Sequence, residues 1–298
     1  MPTPASRLRT QLQTSVTAAP GAFNGLVARS VANAGFNACY VSGGAASAAA
    51  GVPDVGLLTL DRFAQTVREV ADASDLPVIA DADTGFGEEE MVRRTVIEYA
   101  RNGAAALHLE DQVFPKRCGH LDGKSLIPTD QMQSKVAFAA EAAKHSADPD
   151  FIVCARTDAK SVEGFDHAVN RAAAYLDAGA HMIFPEGLTS ETEFGLFAER
   201  LRDHNPAALL LANMTEFGKT PHIPVARFGE LGYHLVIYPV STLRVAMHAV
   251  EAFLSDLHDH GSAEAWQDRM QHRKDLYQRL GYAPGEPWHF PNAGEPSS

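Results

Sequence analysis

Cysteine is scarce in this chain, and its scarcity excludes one class of protein at once. The 298 residues contain three cysteines, Cys39, Cys118 and Cys154. That is too few for the disulfide framework of a small secreted domain, and the odd number leaves at least one free thiol. Cys39 and Cys154 lie inside apolar runs, where a small buried side chain is the ordinary interpretation, so we do not expect a zinc site built on the cysteines.

Positive charge and long apolar runs are also lacking. Lysine and arginine total 25 against 37 aspartates and glutamates, a formal net charge of -12, which does not favour nucleic acid or an anionic membrane as a partner. The best apolar candidates, such as residues 207–214, are far shorter than the ~20 residues of a membrane-spanning helix. Polar residues 11 and 13–15 stand where a signal peptide would have its apolar segment. We therefore expect a cytoplasmic protein with no nucleic-acid or membrane partner.

Short apolar runs alternate regularly with helical patterns along the chain. The predicted strands are residues 15–19, 38–42, 77–83, 105–110, 151–156, 181–185, 208–213 and 234–239. Stretches such as 88–103 and 166–179 carry apolar residues at helical spacing and stop at glycine. Strands that alternate with helices in this way are parallel, and eight of them most simply close into a (β/α)8 barrel of the TIM type. There is no glycine-rich dinucleotide fingerprint after the first strand.

The barrel is expected to occupy residues 1–240. The longer gaps after the second and fourth strands predict extended loops. Residues 241–298 are expected to be C-terminal helices, reaching about Gly281, and a tail rich in proline and glycine. We assign both parts to one domain.

Polar residues stand at the ends of most predicted strands. In a barrel of this kind the loops at the C-terminal ends of the strands converge on one mouth, which is where active sites lie. Side chains distant in sequence, such as Asp81, Glu110, Arg156, Glu186 and Asn213, are therefore expected around one pocket.

Asp81 and Asp83 are candidate metal ligands. Side chains two residues apart on a strand leave the same face, and two converging carboxylates need a cation to offset their repulsion. An all-oxygen site that leaves positions for water or substrate suits Mg²⁺, or Mn²⁺, better than Zn²⁺. The alternative, that both residues cap the next helix, is equally good for the pair alone; Glu110 and Glu186 favour the metal.

The loop after the fourth strand contains Cys118 between cationic neighbours and His120. Positive neighbours favour the thiolate and lower a cysteine pKa, and a thiol poised between its two states can deliver a proton. The alternative is an ordinary surface thiol. On other strands, Arg156 is suited to clamping a substrate carboxylate through two hydrogen bonds, and Gly43 and Gly44 can offer backbone amides to another.

These motifs together resemble the isocitrate lyase and phosphoenolpyruvate mutase superfamily, and within it the short-chain 2-methylisocitrate lyases. The resemblance extends from about Ala18 to Tyr277. The matching blocks, in chain order, are residues 40–44 (YVSGG), 51–56 (GVPDVG), 81–87 (DADTGFG), 109–112 (LEDQ), 116–120 (KRCGH), 155–158 (ARTD), 184–186 (FPE) and 213–218 (NMTEFG). Each block is weak alone, whereas eight in order are specific.

The resemblance implies a Mg²⁺-dependent lyase that breaks the bond between the hydroxyl-bearing carbon of a 2-hydroxy acid and its neighbour. Asp81 and Asp83 would hold the metal, with Glu110 contacting it through water. The implied substrate-binding residues are Ser42, Gly43, Gly44, Gly119, Arg156, Glu186, Asn213, Thr215, Arg244 and Arg273. Cys118 would act on a mobile loop as the acid that protonates the carbanion, with His120 beside it. Other residues expected at the site are Asp54, His108, Lys116 and Arg117.

The general base is not fixed by the motifs. Tyr40, at the end of the second strand, is the candidate, and the alternative is an ordinary tyrosine of the barrel interior. The resemblance also implies a homotetramer in which the last helix packs on a neighbouring subunit.

Residues of this loop and of the sixth strand narrow the choice of substrate. Cys118 argues against the mutases and hydrolases that act on phosphonates, which have other residue types there. Phe184 and Pro185 before Glu186, and Arg117 before Cys118, resemble the 2-methylisocitrate form, which gives pyruvate and succinate. Residues 120–124 resemble other branches too, so isocitrate, 2,3-dimethylmalate and oxaloacetate stay open as substrates. A barrel that binds dicarboxylates without turnover is the alternative from another class.

Overall fold

A single sheet of eight parallel strands, surrounded by helices, forms the body of the protein in the computed structural model, which describes residues 2–117, 119 and 123–291. The strands are β1 (Thr17–Pro20), β2 (Cys39–Val41), β3 (Val78–Asp81), β4 (Ala104–Glu110), β5 (Ile152–Thr157), β6 (Met182–Pro185), β7 (Leu209–Asn213) and β8 (Leu235–Tyr238). The helices are α1 (Pro4–Thr14), α2 (Gly25–Asn33), α3 (Gly43–Ala49), α4 (Leu60–Ser74), α5 (Glu89–Arg101), α6 (Thr129–Lys144), α7 (Ala159–Val162), α8 (Phe165–Asp177), α9 (Glu191–His204), α10 (Val225–Glu230), α11 (Ser241–His260) and α12 (Arg273–Leu280).

The strand order closes the sheet into a barrel. Each strand pairs in parallel with the next in sequence from β2 to β8, and β8 pairs with β1. Between β1 and β2 the Ala22 amide donates to the Tyr40 carbonyl at 2.8 Å, which joins the two ends of the sheet. The predicted (β/α)8 barrel is therefore confirmed. The connection after β2 differs from the extended loop expected there, because it begins with α3.

The strands are buried on both faces, which explains their nearly continuous apolar sequences. Inside the barrel, side chains such as Ile79, Cys154, Phe184 and Leu211 pack together in one core. On the outer face, residues such as Val153 pack against the helices in a separate core. Both described cysteines, Cys39 and Cys154, are fully buried, as the apolar runs predicted.

The N-terminal helix α1, which the sequence analysis did not assign, closes one end of the barrel. Thr3 caps it by accepting a hydrogen bond from the Ser6 amide, and a proline follows at the first turn, where its missing amide costs nothing. Ala5, Leu8 and Leu12 recur at helical spacing and are buried against the side chains of the barrel interior. Helix α1 therefore covers the side chains of the barrel interior that it contacts.

The C-terminal helices continue the chain beyond β8 to Gly281, as predicted. None of the residues of α11 is buried, and a 3-10 helix (Glu264–Arg269) separates α11 from α12, which packs on α2. No described helix has the length and apolar character that crossing a membrane requires.

Candidate active site

A cavity of about 110 Å³ lies at the C-terminal ends of the strands. The predicted site residues that line it are Tyr40, Ser42, Gly44, Asp54, Asp81, Lys116, Arg117, Gly119, Arg156, Glu186, Asn213, Thr215 and Arg244. Gly43, Asp83, His108 and Glu110 contact this lining from behind. Arg273 does not reach the cavity within this chain, since it is exposed at the start of α12. Cys118 and His120 lie outside the described residues.

A larger groove of about 810 Å³ lies elsewhere, outside the barrel. Its lining is mainly apolar, with Phe86, Met91, Phe114 and Leu126 among the residues. The Lys135 ammonium beside it is engaged by the carbonyl oxygens of residues 84 and 87. Convergent charged groups with perturbed pKa values are typical of a catalytic site, so the smaller cavity is the candidate active site.

The carboxylates of Asp81 and Asp83 lie side by side at the end of β3. Asp81 is held by the backbone, because its Oδ2 accepts from the Gly43 amide and its Oδ1 from the Asp83 amide, both at 3.0 Å. A β-carbon built on Gly43 would lie 2.8 Å from Asp81 Oδ2 and 3.2 Å from Asp83 Oδ1. The glycine therefore allows the start of α3 to approach both carboxylates. Its amide, predicted to bind substrate, is already engaged by Asp81.

The pKa values of the two carboxyl groups are shifted in opposite directions. Burial and the charge of Asp81 raise the pKa of Asp83 to about 6. Burial acts in the same sense on Asp81, but the nearby His108, Lys116 and Arg156 outweigh it and lower the pKa of Asp81. Such a split is what a pair of adjacent buried carboxyl groups requires, since ionising one makes ionising the other costlier.

Lys116 places an ammonium group among the acids. Its Nζ lies 2.8 Å from Asp83 Oδ1 and contacts Asp54 Oδ1, and the side chain is 4 % exposed. Burial alone would lower the pKa of Lys116, but Asp81, Glu110 and the two contacting carboxylates raise it instead, so the amine stays charged. Lys116 thus supplies positive charge where the carboxylates would otherwise repel one another.

Arg156, near the end of β5, is the central cation of the cavity. Its Nε and Nη2 donate to the two oxygens of Asp158 at 2.9 and 3.2 Å, and it lies 3.3 Å from Glu110 Oε2 and 3.5 Å from Glu186 Oε2. The guanidinium also stacks over the ring of Phe184, 5.1 Å from its centroid. A planar guanidinium fixed on several sides is well suited to orienting a carboxylate that approaches from the cavity.

Asp158 and Lys124 belong to this arrangement, although sequence reasoning did not include them among the site residues. Lys124 Nζ donates to Asp158 Oδ1 at 2.7 Å and also to the carbonyl oxygen of Gly119. Behind Asp158, Asp111 accepts from the amide of Asp158 at 2.9 Å and from the Thr157 hydroxyl at 2.7 Å. The sequence feature that could have identified Asp158 as a site residue is its position, two residues after Arg156 at a strand end.

Tyr40 and His108 form a buried pair at the floor of the cavity. Tyr40 Oη lies 2.7 Å from His108 Nε2. Burial lowers the pKa of His108 to about 4, so the ring is neutral and its Nε2 can accept from the tyrosine hydroxyl. Burial and the charge of Asp81 raise the pKa of Tyr40 well above its usual value. His108 Nδ1 lies 3.7 Å from Asp81 Oδ1, an ion-pair distance should the ring gain a proton.

The remaining predicted binding residues come from β7 and α11. The side-chain amide nitrogen of Asn213 donates to Glu186 Oε2 at 3.2 Å. The side-chain oxygen of Asn213, Oδ1, is buried without a hydrogen bond. Arg244 lies 3.0 Å from Glu216 Oε2 and over the exposed ring of Phe217. Arg244 is thus already paired with an acid at the rim of the cavity.

The acids and amides of the site fit a hard divalent cation. Glu110 Oε1 is buried and accepts no hydrogen bond, and Asp83 Oδ1 is contacted by the Lys116 ammonium at 2.8 Å. Among the described residues, no three histidine, cysteine or acidic side chains are grouped so that they could hold a metal ion by themselves. A pair of carboxylates completed by water or substrate oxygens is typical of Mg²⁺ and unlike the closed sites of zinc.

Comparison with protein families places residues 8–258 within the phosphoenolpyruvate phosphomutase family. The chain is 53% identical over 263 residues to "Probable 2-methylisocitrate lyase 1" of Corynebacterium glutamicum, which covers 88% of this chain and 84% of that protein. It is 44% identical over 263 residues to the 2-methylisocitrate lyase of Bacillus subtilis, with 88% and 84% covered.

Solved structures of the same architecture superpose over almost the whole chain. A 2,3-dimethylmalate lyase, a PEP mutase/isocitrate lyase superfamily member, has a TM-score of 0.86 and 37% identity, covering 94% of this chain and 92% of that one. Oxaloacetate acetylhydrolase in complex with 3,3-difluorooxalacetate has a TM-score of 0.87 and 32% identity, with 94% and 93% covered. Phosphonopyruvate hydrolase in complex with oxalate and Mg²⁺ has a TM-score of 0.83 and 29% identity, with 94% and 95% covered. The chain belongs to the phosphoenolpyruvate mutase/isocitrate lyase superfamily.

Proposed function

We propose that this protein is a carbon–carbon lyase that cleaves 2-methylisocitrate to pyruvate and succinate. The observation that carries the proposal is the cavity itself, which Asp81, Arg156 and Gly119 line together. The curated relatives with 53% and 44% identity bear the name of this activity. The cavity is small, which suits a small acid rather than a polymer.

Mg²⁺ is the proposed cofactor, with Mn²⁺ as a substitute. Asp81 and Asp83 would hold it, and Glu110 would contact it through water. When bound, the cation polarises the oxygen of the hydroxyl-bearing carbon. The phosphonopyruvate hydrolase structure with Mg²⁺ supports a divalent metal in this superfamily. In this chain the support comes from the adjacent carboxylates of Asp81 and Asp83 and from the buried Glu110 Oε1, which accepts no hydrogen bond.

The chain's own residues supply the proton transfers and the binding. Tyr40 Oη takes the proton of the substrate hydroxyl as its own proton passes to His108 Nε2, 2.7 Å away. The bond to the neighbouring carbon then breaks, and its electron pair stays on the fragment that becomes succinate. Arg156 orients a substrate carboxylate throughout. Cys118, outside the described residues, is the proposed acid that protonates the carbanion, because it adjoins Gly119 at the cavity.

Other acids of the same class are the second candidates. The superposed 2,3-dimethylmalate lyase and oxaloacetate acetylhydrolase are 37% and 32% identical to this chain. Isocitrate differs from 2-methylisocitrate by one methyl group, and a methylene in an apolar pocket is worth only ~1–3 kcal/mol of discrimination. The higher identity to the named 2-methylisocitrate lyases favours that substrate.

The test is a panel of acids incubated with the full chain in Mg²⁺ buffer. We expect pyruvate and succinate from 2-methylisocitrate, identified by mass spectrometry, at a kcat/KM well above those for isocitrate, 2,3-dimethylmalate and oxaloacetate. EDTA should abolish turnover and Mg²⁺ should restore it, and Asp81→Asn should not be restored. A better substrate elsewhere in the panel would contradict the assignment, and no product from any acid would favour a binding protein without turnover.

We also propose that the protein assembles as a homotetramer through its C-terminal helices. Met247, Val250 and Leu254 recur at three and four residue steps on α11 and are 43%, 43% and 53% exposed. An apolar stripe on a helix is normally covered by another surface, and a second copy of the chain is the proposed partner. Light scattering should give a tetramer, and Val250→Asp with Leu254→Asp should lower the mass. A monomeric wild type would refute the proposal.

A further inference from the structure

Lys124 is a buried cation that the proposed mechanism does not use. Its side chain is 1% exposed, and the carboxylate of Asp158, which receives its hydrogen bond at 2.7 Å, is fully buried. A second hydrogen bond runs from the same ammonium to the carbonyl oxygen of Gly119, five residues earlier in the chain. Removing a lysine ammonium from water costs free energy, and this cost is offset only where the partners of the ammonium are well placed.

Asp158, the partner of Lys124, is also the partner of Arg156, the residue proposed to orient a substrate carboxylate and called the substrate clamp below. Asp158 binds Arg156 through both carboxylate oxygens, at 2.9 and 3.2 Å. Its backbone is fixed in turn by Asp111. Lys124 and Arg156 therefore meet at one carboxylate, and the loop that carries Lys124 is tied to β5 through it.

Gly119 is pressed directly onto the same clamp. A β-carbon built on Gly119 would lie 2.4 Å from Arg156 Nη2 and 2.5 Å from Glu186 Cγ, which is closer than real contacts allow. The backbone of Gly119 thus rests on Arg156 from one side, while Lys124 holds its carbonyl oxygen from the other.

From this geometry we infer that Lys124 is a positioning residue, which holds the Gly119 backbone against Arg156 through its paired bonds to Gly119 and Asp158. The inference rests on the proposed function in one respect: Cys118, next to Gly119 in sequence, is the acid that would be misplaced. Loss of the ammonium should move the Gly119 segment away from the clamp without removing any group that touches the substrate.

The experiment compares Lys124→Met and Lys124→Arg with the wild-type chain. Alkylation by iodoacetamide is followed by peptide mass spectrometry, in which Cys39 and Cys154 serve as internal references because both are buried. A charge-assisted hydrogen bond is worth roughly tenfold or more in an equilibrium. We expect Lys124→Met to change the alkylation rate of Cys118 by about that factor with the reference cysteines unchanged, and to lower kcat more than it raises KM. Lys124→Arg should recover part of both effects.

Lys135→Met is the matched control. Lys135 is also buried and also donates to backbone carbonyl oxygens, at residues 84 and 87, but away from Gly119. It should lower the Tm as Lys124→Met does and leave Cys118 alkylation unchanged. An unchanged Cys118 rate in Lys124→Met, or equal acceleration at all three cysteines, would overturn the inference and leave Lys124 as a structural counter-ion. Because alkylation needs no turnover, failure of 2-methylisocitrate as a substrate would leave this test intact.

Discussion

Gly119→Ala is the sharpest perturbation that the site offers, because it adds one carbon and removes no functional group. That carbon would lie 2.4 Å from Arg156 Nη2 and 2.5 Å from Glu186 Cγ. Arg156 cannot retreat, since Asp158 holds it through two hydrogen bonds. The segment around residue 119 must therefore lift away from the clamp.

The size of the effect follows from the cost of overpacking. Forcing an extra methyl group into a filled site typically costs about 1–3 kcal/mol. At 1.4 kcal/mol per factor of ten, the fraction of molecules with residue 119 seated on Arg156 should fall by roughly 5- to 150-fold. We expect kcat/KM for 2-methylisocitrate to fall by a similar factor. The Tm should change by only a few degrees, because the segment can move without opening the barrel core.

The assay is pyruvate formation at several substrate concentrations, together with the Tm of each variant. Gly195→Ala is the matched control: Gly195 lies within α9, and its added carbon would meet Leu231 Cδ2 at an ordinary 3.4 Å. That variant should keep full activity. Wild-type kcat/KM in Gly119→Ala would refute the argument that the glycine backbone must rest on Arg156. An activity loss accompanied by an equally large loss of Tm in both variants would also refute it.

Three further perturbations test other parts of the molecule. Tyr40→Phe removes the hydroxyl that contacts His108, so kcat should fall by roughly 10²- to 10⁴-fold with a smaller change in KM; a kcat within threefold of wild type would exclude Tyr40 from the proton path. Arg156→Lys keeps the charge and loses the paired hydrogen bonds to a carboxylate, so kcat/KM at saturating Mg²⁺ should fall at least about tenfold. Unchanged kinetics would contradict the proposal that Arg156 orients the substrate carboxylate. Burial lowers the pKa of His181 to about 4, and its Nδ1 accepts the Val153 amide at 3.1 Å. The folded state therefore binds this proton more weakly than the unfolded state, and stability falls as pH drops from about 6.5 towards 4, by up to about 3 kcal/mol. In urea unfolding, His181→Asn should flatten that pH dependence, and an unchanged slope would show that other groups cause it.

The barrel could be predicted because parallel strands buried on both faces leave an unambiguous apolar pattern. The predicted strand at residues 151–156 corresponds to Ile152–Thr157, and the others agree to within a few residues. Helix α1 was missed, although Thr3, Pro4 and the spacing of Ala5, Leu8 and Leu12 carry an ordinary helix signal. That signal does not say which surface the helix covers, and its role as the floor of the barrel depends on tertiary packing.

The convergence of the candidate site residues on one cavity could be predicted for a related reason. Residues at the ends of parallel strands lie at one mouth whatever their separation in sequence, so Asp81, Arg156 and Glu186 line one cavity. Lys124 and Asp158 were not recognised as site residues, because their importance comes from a contact between a loop and a strand end 34 residues apart. Sequence spacing gives no measure of such a contact.

The balance of charge inside the cavity is the feature that sequence counting represents least well. Three of the cations that line the cavity are each paired with an acid of the same chain: Arg156 with Asp158, Lys116 with Asp83, and Arg244 with Glu216. A paired cation attracts a further carboxylate only weakly, because its field is largely offset by its neighbour. The buried acids around Arg156 and Lys116 outnumber them, since Asp81 and Glu110 are also present. We therefore expect the site to need a divalent cation for holding an anionic substrate at all, and not only for cleaving it.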